Sequence, residues 1–507
     1  MVAFLLYQCE HPDPPVNTTS PSAPALRDVL IALMSAIFLG ALDQTIVAVS
    51  MPAISAQFSD VGLLAWVISG YMVAMTIATP VYGKLGDLYG RRRMILIGMG
   101  LFTVASAFCA MAQSMEQLVL ARVLQGIGAG GMVSVSQAII GDVVPPRERG
   151  RYQGYFSSMY AAASVAGPVA GGLMTEYLSW RWVFWLNLPL GIAAWLFIRH
   201  TLAGLQTPQR KARIDYVGTV LMIIGLGGLL LAITDVGQGY SWHSTQVLGL
   251  FAMGGLALAI FVWHEGRCVE PLLPLRLFAD RCAVLCWCTV FFTSFQAIAM
   301  SALAPLRFQS VTGGTADAAA LFLLPLAFGL PIGAFFGGRH TARSGRFKPV
   351  ILAGALLVPI SVLGMAFTPL ANLWLSCVFM LLTGIGCGLQ FPTSLVGAQN
   401  AAQPGDIGVN TSTTNLFRSL GGAVGVALMS ALLLALLGSS PGTDGLAQEG
   451  HGNLLLNALA AANAQGGSGR VQLAEGFTQL FCISAAFSLL GLVAALAMPN
   501  RLLRGRT

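Results

Sequence analysis

The sequence predicts an all-α polytopic membrane protein. Three observations predict it: a shortage of charge, apolar runs of bilayer-spanning length, and a glycine-spaced charged motif that occurs twice. Apolar residues make up 56% of the 507 positions and charged residues 9%, with a mean hydropathy of +0.74. A soluble domain carries about 25% charge, so this chain lacks the groups to solvate a globular surface and takes lipid as its solvent. The net charge of +7 is scattered over short loops, with no basic face or tail to suit a nucleic acid.

A helix needs about 20 apolar residues to cross the hydrocarbon core. Such runs lie near 29–51, 62–82, 94–112, 117–140, 153–175, 182–199, 216–234, 246–263, 283–304, 317–337, 349–367, 371–395, 409–437 and 476–498. These fourteen spans are even in number, so both termini share a side. Of the 27 Lys and Arg residues, only Arg181, Arg307 and Arg470 fall in odd-numbered loops, and only Arg122 and Arg418 inside spans. The rest mark the tails and even-numbered loops as cytoplasmic. Residues 1–27 then form a cytoplasmic tail, too short in its apolar run and too acidic to read as a signal peptide. Residues 499–507 form a second cytoplasmic tail. The long loop 438–475 faces outward, with a short amphipathic helix expected near Leu454–Ala462.

The repeated motif is Gly83-Lys84-Leu85-Gly86-Asp87-Leu88-Tyr89-Gly90-Arg91-Arg92-Arg93, between the second and third spans. Its copy is Gly338-Arg339-His340-Thr341-Ala342-Arg343-Ser344-Gly345-Arg346-Phe347-Lys348, where Gly83, Gly90, Arg91 and Arg93 align with Gly338, Gly345, Arg346 and Lys348. Ala342 stands opposite Asp87. A duplicated cytoplasmic loop in a duplicated membrane protein points to a rocking transporter. Asp87 has two partners within reach: Arg91 four residues on, and the positive N-terminus of a helix in the other half.

Asp43 is the one acid deep in a span, where a carboxylate costs about 2.5–3.5 kcal/mol on insertion scales and therefore faces a cavity or a partner. Arg122 in the fourth span lies in the same depth band: at 1.5 Å per residue the two sit roughly 12 and 8 Å from the outer ends of their helices. Burial raises a carboxyl pKa and a nearby Arg lowers it, so a conformational change that alters either makes Asp43 take or release a proton. The fifth span carries Gly154 and then Gly167-Pro168-Val169-Ala170-Gly171-Gly172, residues that allow close helix approach and a kink.

Other chemistry finds no motif. The chain has three lysines, none before Ser or Thr, so it holds no phosphate-binding loop of the Gly-x-x-x-x-Gly-Lys-Ser/Thr type. Cys282, Cys286 and Cys288 cluster without a histidine and read as packing residues, and all six histidines fall in loops or at span ends. No metal site, cofactor or enzymatic activity is expected; a sensor or enzyme on this scaffold lacks a nucleophile–base pair or metal triad.

These residues resemble the major facilitator superfamily, and within it the fourteen-span drug:proton antiporters. The Gly83–Arg93 loop resembles the superfamily's cytoplasmic signature. Arg122-x-x-Gln125-Gly126 resembles its fourth-helix motif, and Gly154-x8-Ala163-x3-Gly167-Pro168-x2-Gly171-Gly172 its antiporter motif, with Ala163 in place of a glycine. Leu42-Asp43-x-Thr45-Ile46-Val47, with Ala48 in place of an asparagine, Trp180–Gly191, and Asn415-Leu416-Phe417-Arg418-Ser419-Leu420-Gly421-Gly422 resemble further patterns of the fourteen-span group. The resemblance implies two six-helix bundles, residues 28–199 and 282–498, with two spans inserted in 200–281 and substrate bound near the midplane between the bundles. It assigns proton coupling to Asp43 and Arg122. Conformational roles fall to Gly83, Gly86, Asp87, Gly90, Arg91, Gln125, Gly126, Gly154, Gly167, Pro168, Gly171, Gly172 and Arg418.

Ligand pockets combine aromatic surface with few polar anchors, so Trp66, Tyr71, Phe295, Gln296 and Asn415 are expected to line the cavity. The implied activity is proton-driven export of amphipathic or cationic small molecules across the cell membrane. The alternative is dedicated export of one metabolite, such as a siderophore or antibiotic. The expected partners are protons, a small-molecule substrate and the lipid bilayer, joined in a Gram-negative cell by a periplasmic adaptor and an outer-membrane channel.

Overall fold

The computed structural model describes residues 26–58, 61–204, 215–237, 240, 242–268, 270–312, 321–369, 372–438 and 467–503. The helix expected near Leu454–Ala462, and most of the outward loop around it, lie outside the described residues. From Gly467 on, the stretch expected as loop is already helix.

Among the described residues the architecture is all-helical. The first half comprises α1 (Leu26–Phe58), α2 (Val61–Tyr89), α3 (Arg91–Met111), α4 (Met115–Val143), α5 (Pro146–Tyr177), α6 (Trp182–Trp185) and α7 (Asn187–Thr201). Next come α8 (Tyr216–Gly237), α9 (Thr245–Glu265) and the short α10 (Arg276–Ala279). The second half comprises α11 (Arg281–Thr312), α12 (Leu324–Ser344), α13 (Lys348–Phe367), α14 (Leu373–Ala401), α15 (Ile407–Gly438) and α16 (Gly467–Ala497). Eleven of the described helical segments are long and apolar enough to cross a membrane. Side chains such as Leu120, Phe367, Trp374 and Val493 stand exposed on the outside, where a bilayer replaces water and the usual penalty on apolar surface vanishes.

Local sequence explains where helices begin. Ser114, Ser244 and Asn372 each accept a hydrogen bond from the backbone N–H three residues on, opening α4, α9 and α14. Pro146 opens α5, where a missing N–H costs nothing. Two of the three arginines expected in odd-numbered loops, Arg181 and Arg307, serve helix ends. Arg181 donates to the carbonyl of Ala112 at the end of α3, and Arg307 to those of Met365 and Thr368 at the end of α13. A cation belongs at the negative end of a helix dipole, which accounts for two of the three exceptions to the charge asymmetry.

The Gly83–Tyr89 stretch, expected as loop, is the last two turns of α2, and only Gly90 breaks the chain before α3. Gly90 has φ 94° and its counterpart Gly345 φ 66°, the two positive-φ glycines among the described residues. An L side chain there meets the following carbonyl, which is why the repeat preserves glycine at both places.

The halves are built alike. In the first, α4 crosses α2 with Gly126 and Gly130 against the carbonyls of Tyr71 and Met75. In the second, α14 crosses α12 with Gly384 and Gly388 against those of Leu326 and Leu330. Between the halves the extensive contacts are α2 with α15 and α5 with α12, a pair of equivalent junctions. The inserted helices α8 and α9 pack on each other and dock through α8 onto α2 and α15.

Candidate transport site

Asp43 sits on α1 with no exposed surface, and three side chains from two other helices converge on its carboxylate. From α4, Arg122 Nη1 lies 2.6 Å from Oδ2. Also from α4, Gln125 Nε2 donates to Oδ1 at 2.9 Å. Asn187 Nδ2, at the first residue of α7, donates to the same oxygen at 2.7 Å. The donors are held in turn. Arg122 Nε donates to the carbonyl of Val67, Arg122 Nη1 to Gln125 Oε1, and Gln125 Nε2 to Ser106 Oγ. The guanidinium carbon lies 4.1 Å from the centre of the Tyr71 ring, a cation–π contact that is strong when desolvated. A buried charge needs a partner and satisfied hydrogen bonds, and this network supplies both.

The glycines of α5 pack beside it. A Cβ at Gly167 would strike the Thr45 side chain, and one at Gly171 the Ile46 backbone, two turns of contact immediately after Asp43. Thr45 Oγ1 also lies 3.0 Å from the carbonyl of Ala163, a polar contact between α1 and α5 shared with the carbonyl of Leu42 on its own helix. Pro168 faces outward, and a Cβ at Gly172 would meet nothing within 4 Å. Gly154 serves the other junction, against Ala334 and Phe335 of α12.

A second site joins the halves at the α2–α3 turn, the side expected to be cytoplasmic. Asp87 at the end of α2 is ion-paired with Arg91 and accepts from the backbone N–H groups of Gly408 and Val409, at 3.3 and 2.9 Å. Those N–H groups open α15, so a carboxylate from one half caps a helix of the other. Arg91 Nε also pairs with Asp142 of α4 at 2.9 Å. Both readings of Asp87 left open by the sequence occur at once. Gly83 rests against Ser412 and Gly408, and Gly86 against the Arg91 side chain. Nearby, Gln399 donates to the Gln137 carbonyl at 3.3 Å and Asn415 to Gln137 Oε1 at 2.7 Å, both between halves.

A cavity of about 110 Å³ also lies between the halves. Its described wall includes Gln137, Gln153, Phe156 and Tyr160 from the first half, and Phe391, Asn415 and Arg418 from the second. Of the five residues expected to line it, Asn415 does so. Tyr71 instead lies buried under Arg122, Phe295 packs in the core of the second half, and Gln296 is fully buried and accepts from Ser484. Trp66 is half-buried and is not part of the described wall. These helices are apolar on every side, so sequence periodicity does not say which face meets the cavity. Arg418, expected in a conformational role, faces the cavity.

Sequence reasoning assigned no role to Asn187 or Ser106, although Asn187 stands inside the Trp180–Gly191 pattern. A buried asparagine among aromatic residues was the available signal. Metal-ligating types meet once among the described residues, where ligand atoms of Asp215, His264 and Cys268 lie within 4.8 Å of one another. Asp215 is already engaged there, accepting from the Gly218 N–H at 2.8 Å as the cap of α8 and meeting His264 Nε2 at 2.9 Å. The group pins α8 to the end of α9.

Comparison with known proteins agrees with this architecture. The chain matches the Major Facilitator Superfamily over residues 33–426. It is 35% identical to multidrug transporter protein MdtP of Bacillus subtilis over 415 residues, 82% of this chain and 76% of the relative. It is 33% identical over 420 residues to multidrug resistance protein 3 of the same organism, covering 82% of this chain and 81% of the relative. With efflux pump dotC of Dothistroma septosporum it shares 31% identity over 491 residues, 93% of this chain and 84% of the relative. Among solved structures, the human organic anion transporter MFSD10 superposes with a TM-score of 0.61 at 15% identity, covering 91% of this chain and 99% of the other. The proton:xylose symporter XylE superposes with a TM-score of 0.58 at 15% identity, covering 94% and 97%. The chain belongs to the Major Facilitator Superfamily and is a multi-pass membrane transporter.

Proposed function

We propose that this transporter is a fourteen-span drug:proton antiporter with both termini in the cytoplasm, exporting amphipathic small molecules by alternating access. The observation that carries the reading is the pairing of a cavity between the halves with a buried acid. The cavity lies between halves latched through Asp87, and Asp43 is sealed on α1, against which α5 of the cavity wall packs. The named efflux relatives support the direction of transport.

The coupling follows from electrostatics. With Asp43 charged, Arg122 is neutralised and α1, α4 and α7 are drawn onto one carboxylate. A proton on Asp43 removes that charge and leaves Arg122 buried without a counterion, which costs several kcal/mol in a dry site. The first half must then rearrange. Because α5 packs on α1 through Gly167 and Gly171, the rearrangement reaches the α5–α12 junction. The proton gradient supplies the energy, and no cofactor is required. The test is proton release on substrate addition in vesicles, compared between the natural chain and Asp43→Asn. Loss of coupled release with substrate binding retained is the expected result; release at the natural rate would refute the assignment.

A further inference from the structure

The cavity wall is unequal in charge. No Asp or Glu is among its described residues, whereas Arg418 reaches it from α15. Arg418 is half-buried and, among the described residues, has no carboxylate within ion-pair distance. Its contacts are the faces of two rings: its guanidinium carbon lies 4.8 Å from the centre of Phe391 and 5.6 Å from that of Tyr160. Aromatic faces hold a guanidinium in place but leave its N–H donors unused. A second donor faces the same space. Gln153 on α5 is 3% exposed, lines the cavity, and its buried Nε2 has no hydrogen-bond partner. Buried donors are nearly always satisfied, and an orphan in a cavity wall marks a place for a ligand acceptor.

The buried acid of α1 does not alter the balance. Asp43 is fully buried and held by Arg122, Gln125 and Asn187 outside the cavity wall. A cation entering the cavity therefore meets an uncompensated guanidinium, whereas an anion meets two free donors from opposite halves. Tyr160, Phe156 and Phe391 supply apolar surface for the remainder of the molecule.

From this geometry we infer that the cavity selects amphipathic anions: an aromatic body carrying a carboxylate or sulfonate, the acid on Arg418 and Gln153, the body against the rings. The inference rests on the exporter reading and revises the cationic substrates implied by family resemblance. It also sets the charge balance. Moving one anion out against one proton in carries two positive-charge equivalents inward, so an inside-negative potential favours both movements. Engaging α5 and α15 together, the anion bridges the halves.

Three fluorescent probes with one aromatic body and different charge test this: dansylglycine (anion), dansylamide (neutral) and dansylcadaverine (cation). Each is titrated into the purified full-length protein. Dansylglycine is expected to bind about 10- to 100-fold more tightly than dansylcadaverine, the range of one charged hydrogen-bonded contact. Arg418→Gln should collapse that ratio, Arg418→Lys should retain part of it, and Gln153→Leu should reduce it less. Equal or tighter binding of the cation, or a ratio that Arg418→Gln leaves intact, overturns the inference. If Arg418→Gln does not fold, the probe ratio in the natural chain and in Gln153→Leu decides. Transport separates the two proposals. Proton-driven export of dansylamide without anion preference sinks the anion site alone. Arg418-dependent binding of dansylglycine without any proton-driven movement sinks the exporter reading alone.

Discussion

The two turns that hold Gly90 and Gly345 correspond in sequence and in a positive-φ glycine, but differ in ψ, 137° against 6°, and in charge. Both follow a helix, both pivot on a positive-φ glycine, and both place an earlier glycine at a junction between halves: Gly83 on α15, Gly338 on Gly150 of α5. The first turn adds Asp87, which joins Arg91 and the start of α15. The second has Ala342, and its turn is tied to its own half instead. Leu503 N–H donates to the Gly345 carbonyl, and Lys348 Nζ to the carbonyls of Leu496 and Met498.

The same asymmetry recurs in the membrane. The glycine crossings put Gly384 and Gly388 of α14 in the places of Gly126 and Gly130 of α4, and Leu326 in the place of Tyr71. Met380 then stands where Arg122 does, and Thr383 where Gln125 does. Met380 is fully buried in one apolar cluster with Leu326, and Thr383 bonds Ser361 at 2.9 Å. One half therefore folds with apolar packing where the other uses a buried ion pair. Since a buried pair replaced by packed apolar groups is often neutral or stabilising, this comparison predicts that the fold does not require Asp43 and Arg122, as the coupling role proposed for their charge demands.

The largest expected effect breaks that comparison directly. Arg122→Met alone strands Asp43 as a buried charge and should lower stability by about 3–5 kcal/mol, read as the thermal midpoint of the purified protein. Asp43→Leu with Arg122→Met removes both charges, with Met where the second half has Met380, and should recover most of the loss while transport stays absent. A double variant as unstable as the single one would make the pair structural. Next in size is Asp87→Asn. It keeps a hydrogen-bond acceptor but loses the charge at α15, and should lower export about tenfold, one charge-assisted contact's worth, at normal membrane abundance. Full export would reduce the motif to a marker of orientation.

The junction glycines should behave alike, with a smaller effect. A Cβ at Gly338 meets the backbone of Gly150, and one at Gly83 meets Ser412 Cβ and the backbone carbonyl of Gly408, none of which a rotamer change removes. Overpacking costs about 1–3 kcal/mol, so Gly338→Ala and Gly83→Ala should both lie at the upper end, by thermal denaturation. Smallest is Gly345→Ala, about 1–2 kcal/mol for one left-handed residue. Gly90, at φ 94° and ψ 137°, lies where only glycine is at ease, so Gly90→Ala should cost more, about 1–3 kcal/mol. Equal losses at both would show that the two turns do not differ in backbone strain.

Much of this was legible in the chain. Lys and Arg positions organise the helices because crossing lipid forbids stray charge, and the depth arithmetic put Asp43 and Arg122 in one depth band because helical rise is regular. Gly83 and Gly338 were recognisable as equivalents by alignment alone. What stayed hidden was orientation about the helix axis. Tyr71 faces Arg122, Phe295 the core, and Gln153 the cavity, yet all lie in runs where lipid and protein interior favour the same residue types. Asn187 and Arg418 needed the fold to assign them, one to the carboxylate and one to the cavity.

The central claim is that the ion pair present in one half only is the proton-coupling device. It is tested most directly by substrate-induced proton release in vesicles holding Asp43→Asn. The amide keeps the size and hydrogen-bonding shape of the carboxyl but does not change charge between access states. The account predicts that this variant still binds substrate and releases no protons in exchange. Release at the natural rate would place coupling on another acid and contradict the account.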